Sequence, residues 1–257
     1  MKRSFAVLVS LCLGLILSAP GVSFAKSAHK KVITVGADTT FPPFEMEEHG
    51  KVVGFDIDLI HAIAKNEGLT IQLQTMDFQG LIPALQTGTI DAAVAGITIT
   101  DQRAKVVNFS HPYYHSGLSV LVKKDSGIKG MADLAGKNVA VKLGTTADLM
   151  MSKKPGVTVQ RFTNIDDAYN QMENGGAAAV VFDNPVNLNY AKHHPKVHVV
   201  GDLLTGEDYG IAVTKKDPWL LKKINAGLFK VYKSGEYAKL YRKYFGSDEH
   251  GLVKIVK

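Results

Sequence analysis

Short apolar runs alternate with helix-patterned segments along this chain, and that alternation restricts the fold more than any other feature. Residues 32–35, 71–73 and 92–95 read as strands. Between them, residues 58–65 place Leu59, Ile60, Ile63 and Ala64 on one helical face, with Gly68 as a stop, and residues 81–85 form a short helix ending before Gly88. A β-α-β-α-β order of this kind specifies an α/β layer with parallel strands. The pattern restarts near residue 114. Strands are expected at 118–122, 137–141, 157–162, 178–182, 197–200 and 211–213, and helices at 145–151, 166–173, 218–233 and 236–245.

No long linker separates the halves, and the last helices can return to the first unit. The expected organisation is therefore two lobes joined by two crossovers near 113–117 and 208–210. Residues 26–113 and 211–257 build lobe 1, and residues 114–210 build lobe 2. A cleft between lobes is a favoured ligand position, and in such sheets ligands lie beyond the carboxyl ends of the strands.

The N-terminus reads as a processing segment. Lys2 and Arg3 precede an apolar run from Phe5 to Leu17, and Ser23-Phe24-Ala25 fits a small-x-small cleavage site. That run is shorter than the roughly twenty residues a bilayer core requires. Export with cleavage after Ala25 is expected, to a periplasmic location. Cys12 is the only cysteine, so the mature chain has no disulfide and no thiolate metal site. The net charge of +6 drops to +4 without Lys2 and Arg3. It is dispersed, with no basic run carrying interleaved aromatics, so a nucleic-acid partner is not expected.

The loops expected at the strand ends carry the chemistry. Gly96 to Arg103 combines a glycine, Thr98, Thr100 and an arginine fork suited to a carboxylate. Gly144-Thr145-Thr146 opens a short helix whose amides could offer a further anion site. Asp183 ends an apolar strand and could meet an ammonium group, or cap a helix ahead of Pro185. Phe41 and Phe78 could sandwich an aliphatic stem or simply pack in the core. Arg103 could instead form a surface ion pair with Asp101. Asp38 and Lys142 follow the first strand of each unit. Together they would suit a side-chain amide, whose NH2 donates to the acid and whose carbonyl accepts from the ammonium. The alternative is a pair that closes the lobes without touching ligand. No HExxH, GxSxG or Walker motif is present, no catalytic residue, metal or cofactor is expected, and Asp56-Ile57-Asp58 reads as helix capping.

Several stretches carry a resemblance to a known family. They are Ala37-Asp38-Thr39-Thr40-Phe41-Pro42-Pro43-Phe44, Val53-Gly54-Phe55-Asp56-Ile57-Asp58-Leu59, Met76-Asp77-Phe78, Leu81-Ile82-Pro83-Ala84-Leu85-Gln86, and Gly96 to Arg103. Across the whole mature chain it resembles the solute-binding proteins of polar amino-acid ABC transporters (family 3), with the glutamine binders as the nearest branch. The resemblance implies a two-lobe α/β fold of the type II periplasmic-binding-protein kind, which closes on one free L-amino acid and delivers it to a membrane permease as a monomer. It assigns Arg103, Thr98 and Thr146 to the α-carboxylate, and Gly96, Thr98 and Asp183 to the α-ammonium. Phe41 and Phe78 are assigned to the side-chain stem, and Asp38 and Lys142 to a glutamine side chain. Two positions depart from the glutamine branch: Phe182 replaces a histidine, and Thr146 replaces a glycine, as in basic amino-acid binders. Binding of arginine, lysine or histidine is the alternative expectation, followed by an enzyme similar to the cyclohexadienyl dehydratases.

Overall fold

The computed structural model describes residues 32–247 and 250–254. The expected signal segment lies outside the described residues. Two five-stranded sheets organise the chain. In the first, Val32–Ala37 pairs in parallel with Thr70–Thr75 on one side and Ala92–Ala93 on the other. Ala212–Thr214 and Val107–Phe109 extend it antiparallel. In the second, Asn138–Lys142 pairs in parallel with Thr158–Phe162 and Ala179–Asp183, and Leu118–Lys123 and Val197–Val200 extend it antiparallel. Each sheet thus has a parallel part, which the alternating pattern predicted, and two added strands joined by antiparallel pairing, of which only the inner one, Ala212–Thr214 or Leu118–Lys123, runs against the parallel set.

Two chain crossings join the sheets. Tyr114–Ser116 and Glu207–Tyr209 pair antiparallel as a ladder of their own. An isolated bridge ties Thr98 to Tyr209, through bonds from Ile99 N to Asp208 O (2.8 Å) and from Gly210 N to Ile97 O (3.1 Å). The loop after the Ala92–Ala93 strand is therefore fastened directly to the second crossing.

The helices follow the apolar faces that the sequence sets out. Phe55–Glu67 packs its Leu59, Ile60 and Ile63 inward and ends at Gly68 in the left-handed region. Pro218–Lys233 lies across it, capped by Asp217, whose carboxylate accepts from Leu220 N at 2.9 Å. Their crossing is close: a Cβ at Gly227 would stand 2.8 Å from Ile63 Cγ2. Glu236–Phe245 contributes Tyr237, Tyr241 and Phe245 to an aromatic cluster around Phe44, Phe55, Tyr114 and Tyr209. Most of these rings are fully buried, and each such burial stabilises the fold by about 1.5–3 kcal/mol.

Several elements differ from expectation. The helix expected at 81–85 runs Phe78–Thr87, so Phe78 opens a helix rather than sitting in a loop. Asn184–His193 is a helix where a loop was expected, because Pro185 at its first turn has the φ a helix needs and no lost N–H bond. Asp101–Ala104 is a short helix capped by the Thr100 hydroxyl. A three-stranded antiparallel sheet, Thr40–Phe41, Glu45–Glu48 and Lys51–Val53, also went unpredicted; it lies mostly at the surface, without a strong apolar signature.

Candidate functional site

Eight of the nine predicted residues line one narrow cavity of about 250 Å³: Phe41, Phe78, Gly96, Thr98, Arg103, Lys142, Thr146 and Asp183. Ala95, Thr145 and Phe182 complete its wall. Asp38 does not reach it and sits behind Lys142. A larger open depression of about 960 Å³, near Tyr114, Leu188 and Phe245, contains none of the nine.

The cavity lies between groups from both sheets. Gly96, Thr98 and Arg103 follow the Ala92–Ala93 strand of the first sheet, whereas Lys142, Thr146 and Asp183 come from the second. Phe41 meets Phe182 edge-on at 5.6 Å across this boundary.

Gly96 is required by geometry. Its φ of 50° is left-handed, and a Cβ there would lie 2.2 Å from Phe41 Cε1. Its amide donates to Asp56 Oδ2 at 3.0 Å, and the Tyr113 hydroxyl donates to the same oxygen at 2.6 Å. Asp56 was expected to cap a helix; instead it is fully buried and pins the Gly96 loop of the cavity from behind, and the helix begins at Phe55, with Gly54 at the N-cap and no side-chain capping bond. Burial raises the Asp56 pKa to about 6, against the hydrogen bonds from Tyr113 and Gly96. Glu45, also fully buried, is pushed well above the usual carboxylate range by burial and then by the neighbouring Asp56.

Arg103 extends between the two sheets. Nη1 donates to Thr98 O at 2.9 Å and Nη2 to Gly144 O at 3.2 Å, and the guanidinium stacks 5.3 Å from the Phe78 ring centre. Among the described residues it forms no ion pair with Asp101, and the negative charges acting on it are Asp183 and Glu207. Burial lowers its pKa, and those two acids oppose the shift.

Lys142 is 1% exposed and forms an ion pair with Asp38. It also donates to Thr40 Oγ1 at 2.7 Å and Thr40 O at 3.2 Å, and Asp38 accepts from Thr40 N and Thr40 Oγ1 at 2.9 Å. The acid and the ammonium therefore satisfy each other across the two sheets, as the second of the two sequence readings allowed.

Asp183 stands at the N-cap position of Asn184–His193 but makes no side-chain capping bond; its carboxylate accepts from the Tyr209 hydroxyl. Burial, then the neighbouring Glu207, raises its pKa to about 7, while Tyr209 and Arg103 pull it down. The expected anion site at Gly144–Thr146 is partly taken by the protein itself, because Asp148 Oδ2 accepts from Gly144 N at 3.1 Å and Thr145 Oγ1 accepts from Asp148 N at 3.3 Å.

Sequence reasoning passed over Asp56, Tyr209 and Glu207 at the site. Glu207 Oε2 accepts from the Thr98 hydroxyl at 2.8 Å and the Thr146 hydroxyl at 3.1 Å. The signal for it was the Thr205-Gly206-Glu207-Asp208-Tyr209-Gly210 run at the second crossing, where polar residues interrupt the apolar pattern. Among the described residues no group of three or more His, Cys, Asp or Glu could hold a metal ion.

Known proteins are similar to this chain in sequence and fold. A protein of Neisseria gonorrhoeae named "Probable histidine-binding protein" is 38% identical over 96% of this chain and 97% of its own length. A solved structure described as an ancestral arginine-binding protein bound to arginine is 47% identical, with a TM-score of 0.81, covering 84% of this chain and 99% of that one. A related ancestral arginine-binding protein bound to glutamine is 45% identical, with a TM-score of 0.82, covering 86% and 100%. The family model for "Bacterial extracellular solute-binding proteins, family 3" matches residues 33–247, and the chain belongs to that family.

Proposed function

We propose that the protein captures one free L-amino acid in the cavity and delivers it to the permease of an ABC importer, with L-glutamine as the preferred ligand. Arg103 and the Thr98 and Thr146 amides would take the α-carboxylate. Asp183, the Gly96 carbonyl and the Thr98 hydroxyl would take the α-ammonium. Phe41 and Phe78 would hold the side-chain stem between them.

The observation that carries the glutamine reading is that Lys142, and not Asp38, lines the cavity. The buried pair thus presents Lys142 rather than the Asp38 carboxylate at the cavity wall, and Thr40 O, the longest of the three ammonium contacts, is the one a ligand carbonyl would displace. A side-chain carbonyl would accept from Lys142, whereas a guanidinium or ammonium would meet a like charge in a desolvated place. A second reading, a basic amino acid, is favoured by a different observation. With Asp38 and Lys142 neutralising each other, Asp183 and Glu207 face the single positive charge of Arg103. A ligand with an extra positive charge would balance that excess, and the named relatives include arginine and histidine binders.

Thermal-shift measurements of ligand-stripped protein against the twenty amino acids separate the two, because a ligand raises apparent stability by mass action. Glutamine giving the largest shift supports the first reading. Arginine outranking glutamine at equal concentration supports the second and removes the first.

A further inference from the structure

We propose that Glu207 is a positioning residue that takes the hydroxyl protons of Thr98 and Thr146, so that both oxygens face the ligand as acceptors and select an ammonium at that end of the cavity. This inference rests on the amino-acid-binding reading above.

The geometry behind it is specific. Thr98 belongs to the loop of the first sheet, and Thr146 opens the Thr146–Met151 helix of the second. Both line the cavity on one side. On their other side lies an open depression of about 760 Å³, whose wall includes Glu207. Glu207 does not line the ligand cavity. Its Oε2 receives both hydroxyls, at 2.8 Å and 3.1 Å, and Thr205 Oγ1 donates to Oε1 at 3.3 Å.

A hydroxyl has one proton and two lone pairs. Once the proton points at a carboxylate, only lone pairs remain for the cavity side. Without that carboxylate each hydroxyl could rotate and donate to a ligand carboxylate instead. With it, an incoming carboxylate would meet two lone-pair-bearing oxygens and is turned toward Arg103. Thr146 would then serve a ligand carboxylate by its amide and not by its hydroxyl. Because Glu207 lies in the Glu207–Tyr209 crossing, one carboxylate also ties both sheets to the segment that joins them.

The test is calorimetric titration of L-glutamine and L-arginine into ligand-stripped parental protein, Glu207→Gln, Glu207→Asp, Thr146→Val and the Thr146→Val/Glu207→Gln double variant. If the parental protein binds no amino acid, the functional reading itself fails, and this one with it. If it does bind, Glu207→Gln is expected to weaken the better ligand by about tenfold to a hundredfold, since charge-assisted hydrogen bonds are lost and the amide can donate to the hydroxyls. Glu207→Asp keeps the charge but withdraws it by a methylene, and should lose affinity comparably. In the Thr146→Val background the Glu207→Gln loss should shrink, because part of its route is already gone. Full affinity in Glu207→Asp, or an undiminished loss in the Thr146→Val background, would mean that Glu207 acts by its distant charge and would overturn the proposal. So would unchanged affinity in Glu207→Gln, or a loss matched by a lowered urea midpoint of the ligand-free protein.

Discussion

The carboxylate of Asp56 accepts the backbone N–H of Gly96 at 3.0 Å, so this loop of the cavity wall is held by a residue 40 positions earlier in the chain. Behind Gly96 the anchor is polar and fully buried; in front, Phe41 fills the space a side chain would need. Gly96→Ala should therefore destabilise the fold by about 1–3 kcal/mol, from a left-handed φ and overpacking together. Amino-acid binding should fall with it. Urea unfolding and calorimetry on the same variant check both.

Stability should depend on pH through Asp56. Burial pushes its folded pKa up to about 6 from the 3.8 ordinary for an aspartate. The native state therefore binds more protons than the unfolded state between those values, and stability from this group falls as pH rises through about 4 to 6. Asp56→Asn, which has no proton to lose, should make that part of the urea midpoint against pH curve less steep, while Glu45 and Asp183, also raised by burial, carry the remainder. An equally steep curve in the variant would assign the slope elsewhere.

Ligand capture should release a proton. Asp183 titrates near 7 in the ligand-free site, raised by burial and by Glu207. An ammonium placed against it would favour the anion and lower that pKa. Affinity should then fall as pH drops below about 7, and calorimetry in buffers of different ionisation enthalpy should count up to one proton released per ligand. Asp183→Asn should abolish the proton count as well as most of the affinity.

Lys142→Leu should cost more than a lost contact, because it leaves Asp38 buried and unpaired. Breaking such a pair costs about 3–5 kcal/mol, while replacing both partners by apolar groups of similar size is often close to neutral. Lys142→Leu should thus lower the urea midpoint strongly, and Asp38→Leu in the same chain should restore most of it. In ligand terms, Lys142→Leu should weaken glutamine and improve arginine.

Arg103→Ala should remove measurable binding, since the guanidinium is the one cation that lines the cavity without a carboxylate partner among the described residues. Near-normal affinity in that variant, read by calorimetry, would sink the assignment of Arg103 to the ligand carboxylate.

Much of this was legible from local pattern. The parallel strands, the last two helices and the polar loops at strand ends follow from periodicity and stop residues, and Pro218–Lys233 and Glu236–Phe245 stand where the sequence put them. What escaped reading depends on long-range pairing. Tyr114–Ser116 and Glu207–Tyr209 are three-residue strands that exist because each has the other, 93 positions away. Asp56 looked like a cap because its position in the helix is local, while its partners Gly96 and Tyr113 are not. Whether Asp38 and Lys142 face a ligand or each other depends on the distance between two sheets, which no run of residues encodes.

The paired crossings have a mechanical consequence. Two covalent tethers lying side by side, bonded to each other and backed by the stacked rings of Tyr114 and Tyr209 at 5.6 Å, act as an axle. They resist sliding and separation of the two sheets and leave rotation about one line as the soft motion. Under the proposed function, the size of the captured molecule would set the angle at which rotation about such an axle stops, and the angle presented to a permease would report what is inside.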